Sequence, residues 1–332
     1  MPSYAIGVDL GGTNLRIAAV NENGTLLEKT TLGTEVARGR DVVLDSMTAA
    51  IQALAAKHSR DGKLLGIGIG IPGIIDMATG LLRESPNLPG WSDYPVGSEI
   101  ERRLGMPVVL ENDANVAALG EKWQGGAREY DDMCMLTLGT GVGGGLVLNG
   151  KVWHGMNGMA GEVGHITVEP DGFLCGCGNR GCIECYASAT AVVRMAREMI
   201  ASGEAPELAR AAEGHDAEFS SKFVFNLAMQ GDRAAQKIFE RVGRTLGVCI
   251  ADIINMLNLP IVLLGGGVSH GWEAFAPAMF AELRQRSFVY AATAPEADSR
   301  QPRRTMVTRA LLGGDAGLYG AARLPMISSK AL

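Results

Sequence analysis

The chain lacks the features that mark a nucleic-acid-binding or membrane protein. Its 332 residues contain no run of Lys or Arg and carry a net charge of −6, whereas a nucleic-acid surface needs a concentrated basic patch. No uninterrupted apolar stretch approaches the roughly 18 residues that span a bilayer. The first residues, Met1 to Val8, contain neither the basic segment nor the cleavage site of a signal peptide. We therefore expect a cytoplasmic protein that binds neither nucleic acid nor a membrane.

The chain has length, apolar content and glycine instead. With 332 residues, of which 47% are hydrophobic, it can bury a large core and is longer than most single domains, so two domains are expected. Its 45 glycines cluster in short motifs, which is typical of backbone placed close to a ligand. Six cysteines in a chain of this size favour a reducing compartment, where thiols are available to a metal.

Three glycine-rich turns follow predicted buried strands, at Gly11–Asn14, Gly139–Gly145 and Gly265–Ser269. Successive backbone N–H groups in such turns can hold phosphate oxygens, because only glycine lets the chain come that close. None of the turns matches G-x-x-x-x-G-K-[ST], which excludes a P-loop enzyme. The alternative is that these glycines only form tight hairpins.

Side chains at the first two turns suit the same ligand. Asp9 could hold Mg²⁺ directly or through water, and Thr13 and Thr140 could donate hydrogen bonds to phosphates.

One acid stands where a catalytic base is needed. The predicted strand 107–110 ends at Glu111-Asn112-Asp113-Ala114-Asn115, and a helix is predicted from Val116. Asp113 could accept the proton of a substrate hydroxyl as its oxygen attacks a terminal phosphate, since phosphoryl transfer needs mainly positioning, electrostatics and one base. The alternative is that Asp113 is only the N-cap of the helix.

A Cys₃His set occupies one short stretch and consists of His165, Cys175, Cys177 and Cys182. This ligand number and softness are those of a tetrahedral structural zinc. Cys185 could compete as a ligand, and the alternative to a metal is a set of free thiols.

Acids flank this set on both sides, so a metal would fix their relative positions. A polyol substrate needs several convergent hydrogen bonds, and the side chains that could supply them are Asn87, Asn112, Glu162, His165 and Glu184. Trp91 could stack on a sugar face, although packing in the core is an equal alternative.

The order strand, glycine turn, strand, Asn-Gly and further strand occurs twice, around residues 4–31 and 132–150. Such a repeat indicates two related domains. We expect an α/β protein whose small N-terminal domain, residues 1–122, is completed by a C-terminal helix at about 316–332. Residues 123–315 would form a large domain with the zinc loop and a nucleotide-binding part.

Five motifs carry a resemblance to a known family. They are Asp9-Leu-Gly-Gly-Thr-Asn-Leu-Arg, Glu111-Asn-Asp-Ala-Asn, Leu138-Gly-Thr-Gly-Val-Gly-Gly-Gly, Gly161-Glu-Val-Gly-His and Cys175-Gly-Cys-Gly-Asn-Arg-Gly-Cys-Ile-Glu. In this order they resemble the motifs of the ROK family, within the actin-like ATPase superfamily, and they cover nearly the whole chain.

The resemblance implies two actin-like (ribonuclease H-like) ATPase domains with an interdomain cleft and a zinc-binding loop. It also implies ATP with Mg²⁺, transfer of the γ-phosphate to a hexose hydroxyl, usually on carbon 6, and a homodimer or homotetramer.

Carried onto this sequence, the resemblance makes Asp113 the general base. The implied sugar contacts are Gly73, Asn87, Asn112, Asp113, Glu162, His165 and Glu184. The implied nucleotide and magnesium contacts are Asp9, Gly11, Gly12, Thr13, Asn14, Arg16, Gly139, Thr140, Gly141, Gly143, Gly265, Gly266 and Gly267. The implied ligands of a structural Zn²⁺ are His165, Cys175, Cys177 and Cys182.

The loop Ser85-Pro-Asn-Leu-Pro-Gly-Trp resembles that of the family's glucokinases, which favours glucose. Kinases for N-acetylmannosamine, N-acetylglucosamine, fructose or allose share every chemical motif and remain alternatives. Polyphosphate is less expected as donor, because family members that use it usually lack the cysteine cluster. A family repressor would need a DNA-binding domain before the first strand, and a non-catalytic sugar-sensing regulator would not need Asp113.

Overall fold

The computed structural model describes residues 2–298 and 302–328. The chain forms two compact units. The first takes its described residues from Met1–Met135, Gly145–Gly161 and Ala310–Leu332, and the second from Leu136–Gly144 and Glu162–Arg309.

The described part of the chain contains both strands and helices, with a run of helices between the tenth and eleventh strands. The strands are β1 (Ser3–Leu10), β2 (Asn14–Asn21), β3 (Leu26–Gly33), β4 (Lys63–Ile71), β5 (Ile74–Asp76), β6 (Leu81–Glu84), β7 (Val109–Asn112), β8 (Met133–Leu138), β9 (Val142–Leu148), β10 (Lys151–Val152), β11 (Ile261–Gly265) and β12 (Met306–Arg309). The helices are α1 (Arg40–His58), α2 (Val96–Leu104), α3 (Asp113–Gln124), α4 (Glu184–Ala187), α5 (Ala189–Ala201), α6 (Pro206–Ala212), α7 (Ser221–Met229), α8 (Arg233–Leu257), α9 (Trp272–Arg286), α10 (Phe288–Thr293) and α11 (Ala316–Ser328).

Two five-stranded sheets share one strand order. The first runs β3-β2-β1-β4-β7, with β2 antiparallel to both β1 and β3, and β4 parallel to both β1 and β7. The second runs β10-β9-β8-β11-β12, with β10 antiparallel to β9 and β12 parallel to β11. The common order confirms the repeat that the sequence predicts.

Strand β4 shows why the first sheet packs closely on one face. Its isoleucines are buried in the core with α1 and α2, while the alternating glycines face the other way. A Cβ at Gly68 would collide with the carbonyl oxygen of Ala321 in α11, and a Cβ at Gly70 would collide with Val116 in α3. The sequence predicts this close approach from the alternating glycines.

The first unit extends beyond the boundary predicted at residue 122. The reason is that α3 packs on α11, where a Cβ at Gly120 would meet the Ala316 carbonyl oxygen and one at Gly320 would meet that of Val116. The chain after α3 belongs to the first unit as far as Met135, and it is attached to the helix where Gly126 N–H donates to Glu121 Oε2 at 2.8 Å and Lys122 Nζ donates to the Arg128 carbonyl oxygen at 3.2 Å. Residues 329–332 of the predicted C-terminal helix lie outside the described residues.

The second unit contains α4 to α10. Helix α8 begins after Asp232, whose side chain accepts the Ala235 N–H, and ends at Asn258 in the left-handed region with φ 49°. Apolar periodicity in the sequence predicts helices at 189–200, about 207–212, 232–259 and 274–286, which match α5, α6, α8 and α9 closely, but it predicts no element at α7, α10 or β12. These are short, and α10 carries the exposed Phe288 within an apolar run that has no clear helical period. None of the described helices is both long and apolar enough to cross a membrane.

Candidate active site

The junction of β7 and α3 places Asp113 at the first position of the helix. The cap is the preceding residue, Asn112, whose Oδ1 accepts the N–H of Ala114 at 2.9 Å and of Asn115 at 3.3 Å. Asn112 Nδ2 donates to the Gly73 carbonyl oxygen at 3.0 Å, so two predicted sugar contacts lie together. The alternative that Asp113 is only the N-cap of the helix is therefore wrong, because Asn112 occupies the cap position.

The first glycine turn is held tightly by backbone and hydroxyl bonds. Gly11 N–H donates to Asn14 O at 2.9 Å, and Thr34, which the sequence does not single out, donates its hydroxyl to Gly11 O at 2.6 Å and its N–H to Thr13 O at 2.9 Å. A Cβ at Gly12 would lie 3.1 Å from the carbonyl oxygen of Asn87. The turn thus meets the loop that carries another predicted sugar contact.

Asp9 and Arg16 face each other across β1 and β2 and form an ion pair of 3.2 Å. Arg16 also donates to the Gly314 carbonyl oxygen at 3.3 Å. Burial raises the pKa of the Asp9 carboxyl; Arg16 offsets part of this rise and Asp315 adds to it. A buried acid of this kind suits a divalent cation, which would favour its charged form.

The predicted metal ligands lie together in the second unit. One ligand atom from each of His165, Cys175, Cys177 and Cys182 falls within 4.8 Å of all the others. Cys177 Sγ lies 3.7 Å from Cys182 Sγ, and Cys175 Sγ lies 3.6 Å from His165 Nδ1. Tetrahedral zinc, with Zn–S bonds of about 2.3 Å and Zn–N bonds of about 2.0–2.1 Å, puts two sulfurs ~3.8 Å apart and S and N ~3.6 Å apart. The spacing therefore fits Zn²⁺.

The thiols of this cluster also suit a cation. A backbone hydrogen bond at Asn179 lowers the pKa of Cys177, whereas burial and the neighbouring thiols raise the pKa of Cys182 to about 12. Several thiolates this close together repel one another unless a cation offsets their charge. Cys185 is outside the cluster, and its Sγ lies 3.8 Å from the Leu174 carbonyl oxygen.

The two acids beside the cluster have different surroundings. Glu162 Oε2 lies 4.0 Å from His165 Nε2, so the ring nitrogen away from the cysteines faces this carboxylate. Glu184 Oε2 accepts the N–H of Val142 at 2.9 Å, and a Cβ at Gly141 would collide with that oxygen. Glu184 is therefore attached to the second glycine turn, a connection that spacing in the sequence does not indicate.

A set of stacked side chains packs against the loop that carries the cysteines. The Arg194 guanidinium lies 3.6 Å from the centre of the Phe173 ring and also donates to the Cys185 carbonyl oxygen at 2.7 Å. Tyr186 Oη accepts the Phe173 N–H at 3.0 Å. Because Arg194 lies on α5, this helix holds the loop that carries the cysteines.

The second and third glycine turns lie side by side in the second unit. Gly139 N–H donates to Gly141 O at 2.9 Å, and the start of α5 binds the turn through Ala189 N–H to Gly139 O at 2.8 Å. Gly266, with φ +83°, lies so close to the Leu138 backbone that a Cβ could not fit. The other predicted nucleotide contacts of this unit, Thr140, Gly143, Gly265 and Gly267, lie on these turns or on the strands that end at them.

Two further residues show the limits of the sequence patterns. Trp91 is fully buried with its ring centre 6.0 Å from that of Tyr94, so it packs in the core and is no stacking surface for a sugar. His154, to which no role is given from the sequence, lies 2.6 Å from the carboxylate of Glu111.

The chain matches the ROK family over residues 5–326. It is 37% identical to the glucokinase of Halalkalibacterium halodurans, over 97% of this chain and 94% of that protein. It is 42% identical to the glucokinase of Thermotoga maritima, over 86% of this chain and 87% of that protein. A crystal structure of a ROK family glucokinase from Streptomyces griseus, in complex with glucose and AMPPNP, has a TM-score of 0.77 at 35% identity and covers 97% of this chain and 98% of that one. The chain therefore belongs to the ROK family and has the actin-like fold of its kinases.

Proposed function

We propose that this protein is a glucokinase, which transfers the γ-phosphate of ATP to the 6-hydroxyl of glucose with Mg²⁺ and yields glucose 6-phosphate, an entry step of glycolysis. The observation that carries the proposal is the β7–α3 junction. Asn112 caps the helix, so Asp113, the first residue of α3, is not the capping residue. The similarity to glucokinases, one of them in complex with glucose and AMPPNP, supports the choice of sugar and donor.

In this mechanism Asp113 accepts the proton of the sugar hydroxyl while that oxygen forms its bond to the γ-phosphorus. The bond from that phosphorus to the β–γ bridging oxygen breaks, and ADP leaves. Asn87, Asn112, Glu162, His165 and Glu184 hold the sugar hydroxyls. The glycine turns hold the phosphates through their N–H groups, and Mg²⁺, when bound near Asp9, neutralises phosphate charge.

Replacement of the base tests this assignment. We expect Asp113→Asn to lower kcat by about 10²–10⁴-fold, because general base catalysis contributes that much, while glucose binding measured by calorimetry changes little. Asp61→Asn, at an exposed position of the first unit, is the matched control and should keep full turnover. Equal kcat in Asp113→Asn and the unchanged protein would remove Asp113 from the mechanism.

The substrate is tested by comparing specificity constants for glucose, fructose, allose, N-acetylmannosamine and N-acetylglucosamine with ATP. Glucose should have the highest kcat/KM. A poor value for glucose would point to an amino-sugar kinase or a fructokinase of the same family, and absence of turnover with every sugar would point to a sugar-sensing regulator. We expect the enzyme to act in the cytoplasm as a homodimer or homotetramer, which light scattering would measure.

The cluster of His165, Cys175, Cys177 and Cys182 would hold one structural Zn²⁺, because four protein ligands leave no open position for water. Elemental analysis should find about one zinc per chain. Cys177→Ser should lower that content, whereas Cys185→Ser, the control thiol outside the cluster, should keep it. A gently purified protein without zinc would contradict this assignment.

A further inference from the structure

Glu111 is a buried carboxylate at the base of the β7–α3 junction, with 3% of its surface exposed. Its Oε1 accepts the backbone N–H of Asn112 at 2.9 Å and the side-chain Nδ2 of Asn115 at 3.0 Å. Its Oε2 lies 2.6 Å from His154 Nε2. One carboxylate therefore joins the residue before Asp113 to a distant histidine.

His154 belongs to the loop that follows β10. Its carbonyl oxygen accepts the N–H of Ala160 at 3.2 Å, which closes residues 154–160 into a compact turn. Gly155 and Gly161 have φ of +67° and +93°, conformations that other residues rarely adopt. The loop ends directly before Glu162, which is a proposed sugar contact. A change in the loop would therefore displace the segment that begins with Glu162.

The interaction between His154 and Glu111 is strong because the Glu111 carboxylate is almost completely buried. A buried carboxylate that loses a hydrogen-bonded partner keeps the cost of its desolvation without the compensating attraction. The hydrogen bond from Glu111 raises the pKa of His154 above its ordinary value, although partial burial opposes this. The other titratable groups on α3 and β10 are Asp113, Glu121, Lys122 and Lys151, but Glu111 is the charge that acts on the imidazole.

We propose that His154 is a positioning residue, whose ion pair with Glu111 fastens the loop 153–161 to the junction that carries Asn112 and Asp113 and thereby sets the affinity for the sugar. The part of this inference that concerns sugar affinity rests on the proposed function. In the proposed reaction His154 contacts no reacting atom, so loss of the pair changes KM and leaves kcat nearly unchanged. Loss of the imidazolium proton weakens the pair, so the fastening depends on pH.

The sign of this dependence follows from the raised pKa. The pair is complete below the ordinary histidine pKa of about 6.5 and is lost as pH rises through the higher value in the folded protein. KM for glucose should therefore rise with pH over this range. In His154→Ala, KM at pH 6 should be about tenfold higher than in the unchanged protein, which corresponds to the loss of one charged hydrogen bond. The KM of this variant should not change over the pH range in which His154 titrates in the unchanged protein.

Rescue by a permanent charge separates positioning from simple loss of packing. Arg keeps its positive charge across this range, so His154→Arg should keep a low KM and lose the pH dependence. His215→Ala, a mostly exposed histidine of the second unit, is the matched control and should retain the pH profile of the unchanged protein.

Hydrogen exchange provides a readout that needs no activity. The Ala160 amide should be protected at low pH in the unchanged protein, lose protection above the His154 titration after correction for intrinsic rates, and be unprotected throughout in His154→Ala. Unchanged exchange would overturn the inference even in an active glucokinase. Altered exchange with an unaltered KM for glucose would overturn the claim that the pair sets the affinity for the sugar. If no sugar is phosphorylated, the proposed function fails, while exchange and calorimetric glucose binding still decide this inference.

Discussion

Glu121 shows at the scale of one residue how a buried charge can hold distant backbone in place. Its carboxylate, fully buried near the end of α3, accepts the N–H of Gly126 at 2.8 Å, of Leu311 at 3.1 Å and of Leu312 at 2.7 Å. Three donors satisfy much of its hydrogen-bonding capacity, which is the condition under which a carboxylate tolerates burial. The segment before α11 is thereby attached to α3.

We expect Glu121→Ala to lower the free energy of unfolding by about 3 kcal/mol, because three backbone N–H groups lose a charged acceptor. Denaturant unfolding followed by circular dichroism measures the change. Glu129→Ala, an exposed acid a short distance along the chain, is the control and should change stability little. Equal midpoints for the two variants would show that the Glu121 bonds contribute nothing net.

Residue identities in the sequence indicate the candidate site residues more readily than the residues that hold them in place. Asp113 and the Cys₃His set are recognisable because their types and spacing are themselves the signal. Thr34 and Glu121 carry no such signal, because a single hydroxyl or acid in a polar stretch looks like a solvated surface group. Their partners lie elsewhere in the chain, and only folding shows which backbone groups they satisfy.

At the scale of elements, the crossing of α3 and α11 decides where the proposed base stands. Gly120 and Gly320 let the two backbones approach so closely that side chains at either position would overlap carbonyl oxygens of the other helix. Since Asp113 is the first residue of α3, any displacement of this helix also moves the base.

Gly320→Ala should therefore lower the free energy of unfolding by about 1–3 kcal/mol, the usual range for an overpacked core. It should also lower kcat, because it displaces α3. Thermal unfolding and steady-state kinetics measure both effects. Gly33→Ala is the control, because Gly33 is exposed at the end of β3 and its nearest neighbour is the side chain of Glu35 at 3.7 Å. A Gly320→Ala protein with native stability would show that the helices can shift without cost.

Long periodic elements were predictable, and short ones were not. Helix α8 has both a strong apolar period and recognisable end residues, so its predicted limits differ from the structure by only a few residues. The strand β12 has four residues, and its pairing with β11 comes from the sheet and not from its own pattern. The crossing of α11 was indicated by its run of small residues, but the residue against which each glycine packs depends on the tertiary fold.

At the scale of the whole molecule, the two units divide the proposed labour between them. The first contains Asp113 and the first glycine turn, and the second contains the metal cluster with the other two turns. The common sheet order explains why a glycine turn between the first two strands recurs, whereas the cysteine loop has no counterpart in the first unit's described residues.

Removal of zinc by a chelator should lower the affinity for glucose before that for nucleotide. His165 belongs to the metal cluster and faces Glu162, so loss of the ion would release both, and changes around metal ligands typically cost about 10–100-fold. Nucleotide affinity should fall less, although Glu184 joins the loop to the second glycine turn. Titrations with glucose and AMPPNP before and after zinc is restored measure the two effects, and equal losses of both would contradict this division.

The packing of α3 on α11 also sets the order of events during synthesis. α3 ends at Gln124 and α11 begins at Ala316, so a ribosome adding about 5–20 residues per second leaves α3 without its partner for on the order of 10–40 s. During this interval the small-residue face of α3 is available to chaperones and proteases. A premature stop before codon 316 would consequently disable the proposed base, however far from Asp113 the missing residues lie in the sequence.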